Sequence, residues 1–205
     1  MSAEQGAVDR ADVDRADVDR ADFHSQAATI AAELAATVAR VDSDEVDRTI
    51  EALLAASTVF VIGVGREGMA ARGFAMRLAH LGLTVHWAWD DTTPAVTADD
   101  LLVMVNGPGT IGHLDYVFDR VREVGATTLV VSAIAGARTP ALADVALIVP
   151  ATVYRGEGDL VPSIQPMGSL FEQATQLVFD TLVLQLAERL GLAFADLAPR
   201  HRNFE

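Results

Sequence analysis

Cysteine is absent, which removes disulfides, thiolate nucleophiles and cysteine-ligated metals from the chemistry open to this chain. Lysine is absent too, all fifteen basic residues being arginine, so Schiff-base aldolases and lysine-anchored pyridoxal enzymes are excluded. No run approaches 18 uninterrupted apolar residues, and the acidic N-terminus lacks the basic-then-apolar order of a signal peptide. Neither membrane insertion nor export is indicated, and the cytoplasm is the expected compartment. Positive charge is in deficit: a net charge of −14 opposes nucleic acid or an anionic membrane surface as a partner. An anionic ligand would need local arginines or backbone N–H groups to overcome that field. The five histidines show no metal-ligand spacing, so no metal is expected.

What is present is an apolar half, 51% of 205 residues, enough for a substantial core in one domain. Residues 8 to 22 read Val-Asp-Arg-Ala-Asp three times over. A period of five matches neither helix nor strand, so residues 1–22 are expected to form a solvated, disordered acidic tail and 23–205 the folded domain. From Phe23 onward, Ile30, Leu34, Val38 and Val41 fall at helical spacing, and Ser43 or Asp44 is placed to cap a second helix carrying Val46, Ile50, Leu53 and Leu54. Five short apolar runs follow as strands: Thr58 to Ile62, Leu83 to Trp87, Leu101 to Val105, Thr127 to Val131 and Val145 to Val149. Helices are expected near Gly68 to Leu81, Ile111 to Val124 and Pro140 to Ala143, and a last one runs from Ser169 to Leu190, with Gly191 as its stop. The interleaving implies a five-stranded parallel sheet covered on both faces. Ligands of such sheets lie off the carboxyl ends of the strands, which directs attention to the loops after Ile62, Trp87 and Val105.

The first of these loops, Gly63-Val64-Gly65-Arg66-Glu67-Gly68, satisfies the dinucleotide fingerprint on paper, with Asp90 lying 22 residues beyond Gly68. Any tight strand-to-helix turn favours the same glycines, so a nicotinamide-dependent oxidoreductase stands as a weaker alternative. Arg66 also has a surface reading, an ion pair with Glu67 or Asp90. His80 reads as a residue favoured by the helix dipole rather than a catalyst. Ser169-Leu170-Phe171-Glu172 fits a capping box, in which Glu172 would return to the cap amide.

Several segments together resemble the bacterial 6-phospho-3-hexuloisomerases of the sugar isomerase (SIS) superfamily, over about Phe60 to Glu205. They are the Gly-x-Gly-Arg loop at Gly63 to Arg66, the helix Phe74-Ala75-Met76-Arg77-Leu78-Ala79-His80-Leu81-Gly82, the stretch Pro166-Met167-Gly168-Ser169-Leu170-Phe171-Glu172, and the ending Arg200-His201-Arg202-Asn203-Phe204-Glu205. The resemblance implies a flavodoxin-like α/β SIS domain preceded by N-terminal helices, and a metal-free, cofactor-free sugar isomerase working through an enediol. It implies Glu172 as the base and His201, reaching from a neighbouring subunit of a dimer or tetramer, as acid or relay. By the same resemblance Gly65 and Arg66 hold sugar or phosphate oxygens, and Asp91 and Thr92, in a partly retained Thr-Thr-Thr-Pro, line the sugar site.

The loop after the third strand departs from the family. Where SIS isomerases generally carry Ser-Gly-Ser/Thr-Gly and then Thr, this chain has Asn106-Gly107-Pro108-Gly109-Thr110-Ile111. Pro108 supplies neither hydroxyl nor N–H, and Glu67, in place of the family's serine, adds a charge of the wrong sign for phosphate. Each lost hydrogen bond to a charged ligand is worth roughly 1.5 to 3 kcal/mol. Asn106, Gly107, Gly109, Thr110 and Glu67 are therefore expected to hold an altered polar ligand, unphosphorylated or amino-bearing. Two readings remain beside it: phosphate held by the glycine amides, Thr110 and His113, and a non-catalytic sugar-binding or regulatory protein.

Overall fold

The structure, a computed structural model, describes residues 22–201 and 203. Apart from Asp22, the acidic repeat lies outside the described residues. Asp22 N-caps α1 (Phe23–Val38), its carboxylate accepting from the His24 N–H at 3.1 Å. In α2 (Ser43–Ala55) the cap is Asp42, not Ser43 or Asp44: its Oδ1 accepts from the amides of Asp44 at 2.7 Å and Glu45 at 3.3 Å. The helix already includes Ser43, and only the extended residue before it aims a side-chain oxygen at the orphan amides.

The sheet contains β1 (Val59–Gly63), β2 (Val85–Trp87), β3 (Leu101–Val105), β4 (Thr127–Ser132) and β5 (Val145–Ile148), all parallel in the order β2-β1-β3-β4-β5. This is the flavodoxin-like order, and its direction reverses between β1 and β3. The register sets Val61 opposite both Trp87 and Val103. The second strand starts two residues later than its apolar run, because the Leu83 N–H completes the preceding helix by donating to the Leu78 carbonyl at 3.1 Å.

Every residue of β1 and β3 is buried, as expected of strands covered on both faces. On one face Ile50 of α2, Phe74 and Leu78 of α3 (Gly65–Leu81), and Phe171, Phe179 and Leu182 of α6 (Ser169–Arg189) pack on Val61, Val103 and Val131. Phe74 and Phe179 stack with ring centroids 4.1 Å apart, locking α3 against α6. The other face sets Leu114, Phe118 and Val121 of α4 (Gly112–Val124) against Phe60, Ile62, Leu102 and Met104. Ala88 and Val96 of the β2–β3 connection help to cover it. Because α1 packs on the outer side of α6, α6 is apolar around most of its circumference. A short α5 (Arg138–Leu142) precedes β5, and α7 (Phe194–Leu197) with a 3-10 turn (Ala198–Arg200) closes against the end of α3. Among the described residues no helix is long and apolar enough to cross a membrane.

Candidate active site

The reversal of strand order brings the loops after β1 and β3 side by side, and the 149–168 connection between β5 and α6 folds over them. Between them lies a cavity of about 750 Å³. A smaller crevice of about 370 Å³ between α1, α2 and α6 gathers no comparable set of charged groups. The walls of the larger cavity are the first turns of three helices: Gly65, Arg66 and Glu67 of α3, Ile111 and Gly112 at α4, and Gly168, Ser169 and Glu172 at α6. None of the three helices has a side-chain cap. Their unpaired N–H groups and dipoles give the cavity a local positive field within a strongly acidic protein.

The first wall depends on its glycines. A Cβ on Gly68 would stand 2.7 Å from the Gly63 carbonyl oxygen, and one on Gly63 would stand 3.1 Å from Gly68 Cα. The pair is therefore accounted for by close packing between strand end and helix. Asp90, the acid that a dinucleotide reading needs, lies 3.8 Å from the Arg72 guanidinium, which itself sits over the Trp87 ring.

Glu172 does not enter a capping box. Gly168 occupies the cap position and Ser169 is already helical, so Glu172 lies one residue too far along; its own N–H bonds the Gly168 carbonyl at 3.0 Å. The freed carboxylate turns over the cavity and accepts from Arg66 Nε. Arg66 thus pairs with Glu172 rather than with Glu67 or Asp90. The Arg66 side chain stays 59% exposed while the Glu172 side chain is 17% exposed, and the guanidinium has further N–H donors beyond Nε for a ligand.

Glu67 takes a different partner. Its Oε2 accepts from the Gly107 N–H at 3.0 Å, and its Oε1 faces the Gly107 Cα, where a Cβ would come within 2.5 Å of that oxygen and 2.9 Å of Phe171 Cε1. Burial raises its pKa from 4.5 to about 7, the Gly107 N–H opposing and the Glu172 charge reinforcing that rise.

The rest of the β3 loop is divided between site and scaffold. Thr110 and Pro108 line the cavity. Asn106 is fully buried and points away from it, donating from Nδ2 to Thr139 Oγ1 at 3.1 Å. Thr139 Oγ1 in turn donates to the Gly109 carbonyl at 3.1 Å, so Asn106 and Gly109 hold the loop's shape. Asp91 and Thr92 are exposed and outside the cavity wall. His201 lies with its ring 5.3 Å from that of His80, and the neighbouring Arg200 donates to the His80 carbonyl at 3.1 Å. That is the C-terminal end of α3, about 20 Å along the helix from Glu67. Within one chain, therefore, His201 does not meet Glu172.

The cavity also uses Tyr154 and Arg155, which the sequence reading passed over, and Pro166 and Met167 from the stretch that leads into α6. Met167 is the non-glycine residue with a left-handed backbone among the described residues, at φ 59°, strain of the kind that collects at ligand sites. The usable signal was that β5 also ends in a loop on this side of the sheet. Among the described residues no three His, Asp or Glu side chains gather as a metal-ligand set.

No family model matches the chain. It is 36% identical to the 3-hexulose-6-phosphate isomerase of Mycobacterium gastri over 84% of this chain and 86% of that protein. It is 34% identical to an uncharacterised protein of Methanothermobacter thermautotrophicus over 86% and 93% of the two chains. Among solved structures, a hypothetical protein from Methanococcus jannaschii superposes with a TM-score of 0.76 at 24% identity, covering 87% of this chain and 98% of its own.

Proposed function

Because this chain belongs to the SIS-domain family of the 3-hexulose-6-phosphate isomerases, we propose that it is a sugar isomerase that moves a carbonyl to the neighbouring carbon through an enediol, without a metal. The observation that carries the mechanism is Glu172, released from capping, turned over the cavity and paired with Arg66. In this reading its carboxylate takes the proton from the carbon beside the carbonyl and returns it to the former carbonyl carbon. Charge developing on the carbonyl oxygen is met by the three uncapped helix ends.

The substrate is altered from the phosphorylated hexulose named for the relative. Pro108 brings no N–H to the loop, and Glu67 already occupies the Gly107 amide. A neutral or amino-bearing sugar end suits this wall better than a dianion. The reading includes self-association as a dimer or tetramer: His201 serves ring opening only in a cavity of a neighbouring copy, since it lies at the far end of α3 in its own chain.

Proton NMR in deuterated water, with fructose and fructose 6-phosphate as probes, tests the reading. Wild-type protein is expected to exchange a carbon-bound proton of a probe and Glu172→Gln to lose that exchange. Binding of both probes with no exchange would return the protein to a sugar-binding role.

A further inference from the structure

Glu172 and Glu67 open into one cavity from adjacent helix ends, but they are served differently. Glu172 holds the Arg66 guanidinium; Glu67, half-buried on the same cavity wall, has one backbone N–H and, among the described residues, no ion pair. We infer that Glu67 is a second proton-transfer group of this site, carrying protons to and from the oxygen atoms of the sugar while Glu172 carries the proton on carbon. The inference rests on the isomerase reading above and adds a catalytic residue to it.

Enolisation needs both transfers, and a site that pairs one carboxylate with a guanidinium and buries a second carboxyl beside it offers a separate group for each. The Arg66 and Arg155 guanidiniums on the cavity wall donate hydrogen bonds and have no acceptor atom, so neither takes the proton of a sugar hydroxyl.

The steps balance within the protein and one sugar. The Glu172 carboxylate removes the proton from the carbinol carbon. The C–H pair becomes the C=C bond and the carbonyl π pair moves to oxygen, which takes the proton of Glu67. The Glu67 carboxylate then accepts the proton of the adjacent hydroxyl, and that O–H pair forms the new carbonyl. The C=C pair collects the proton held by Glu172 at the former carbonyl carbon. Both glutamates end as they began.

The charged groups set around Glu67 are Arg66 on its own helix, Glu172 on α6 and Arg155 across the cavity; the 106–110 loop contributes none, and His113 of α4 is stacked on Trp89 with ring centroids 5.6 Å apart. The test measures isomerisation and solvent-deuterium exchange of 3-hexulose 6-phosphate, fructose 6-phosphate and fructose between pH 5.5 and 8.5, for wild type, Glu67→Gln, Glu67→Ala and Glu172→Gln. Wild-type kcat/KM is expected to fall as pH rises through about 7. Glu67→Gln is expected to lose about 10²- to 10⁴-fold in isomerisation together with that limb, while still being stabilised by the same sugar. Added formate is expected to restore part of the activity of Glu67→Ala, which a purely structural role does not allow. Full activity in Glu67→Gln, an unchanged alkaline limb, or no rescue by formate in a folded Glu67→Ala would overturn the inference with the isomerase reading intact. Absence of isomerisation and exchange with all three sugars in wild type would overturn both.

Discussion

Replacing Glu67 by glutamine removes a buried ionisation while keeping the shape of the side chain and an oxygen for the Gly107 N–H. In the folded protein Glu67 holds its proton up to about 7, against 4.5 as the ordinary value. Between those limits the folded state binds more protons than the unfolded chain, so stability falls as pH rises. The cost is absent below about 4.5 and fully present above about 7. Each pKa unit corresponds to about 1.4 kcal/mol, which sets an upper figure of about 3 kcal/mol. Glu67 keeps some contact with solvent through the cavity, which lowers the expected effect to about 1 to 3 kcal/mol. Urea unfolding at pH 5, 6, 7 and 8 of both proteins isolates the residue, because groups that titrate in both cancel in the difference. Glu67→Gln is expected to match wild type near pH 5 and to be the more stable protein at pH 8 by about 1 to 3 kcal/mol of unfolding free energy. Parallel curves across that range would refute the assignment of a buried, proton-holding carboxyl.

Glu172→Gln should leave the urea midpoint close to wild type, within about 1 kcal/mol, because Gly168 rather than this side chain stands at the helix cap, and should lower turnover at least about a hundredfold in a continuous isomerase assay. Gly107→Ala should cost about 1 to 3 kcal/mol in urea unfolding, since its Cβ would fall 2.5 Å from Glu67 Oε1 and 2.9 Å from Phe171 Cε1; the cost should shrink when Glu67→Ser is added. Glu67→Ser with Pro108→Ser returns the Gly107 amide and a hydroxyl to the loop, and should tighten fructose 6-phosphate by about 2 kcal/mol in titration calorimetry. Asn106, fixed to Thr139, is best left alone in that exchange.

The alternation of short apolar runs with helical periodicity determined the five strands, their parallel sense and the helices around them, because burial on both faces of a sheet is written into neighbouring residues. The packing need for Gly63 and Gly68 and the place of Glu172 in the first turn of α6 were legible in the same local way. Helix caps were less so: the Ser169 to Glu172 spacing permits a capping box that Gly168 forecloses, and Asp42 rather than Ser43 caps α2. Only the tertiary structure decided which charges meet. Arg66 pairs with a carboxylate 106 positions away and Glu67 with an amide 40 positions away. It also turned Asn106 inward, brought Tyr154 and Arg155 to the cavity and set His201 at the opposite end of α3. Periodicity reports which face of an element is buried, whereas side-chain partners depend on how α3 and α6 lock through Phe74 and Phe179 and on where strand order reverses, and both are properties of the assembled sheet.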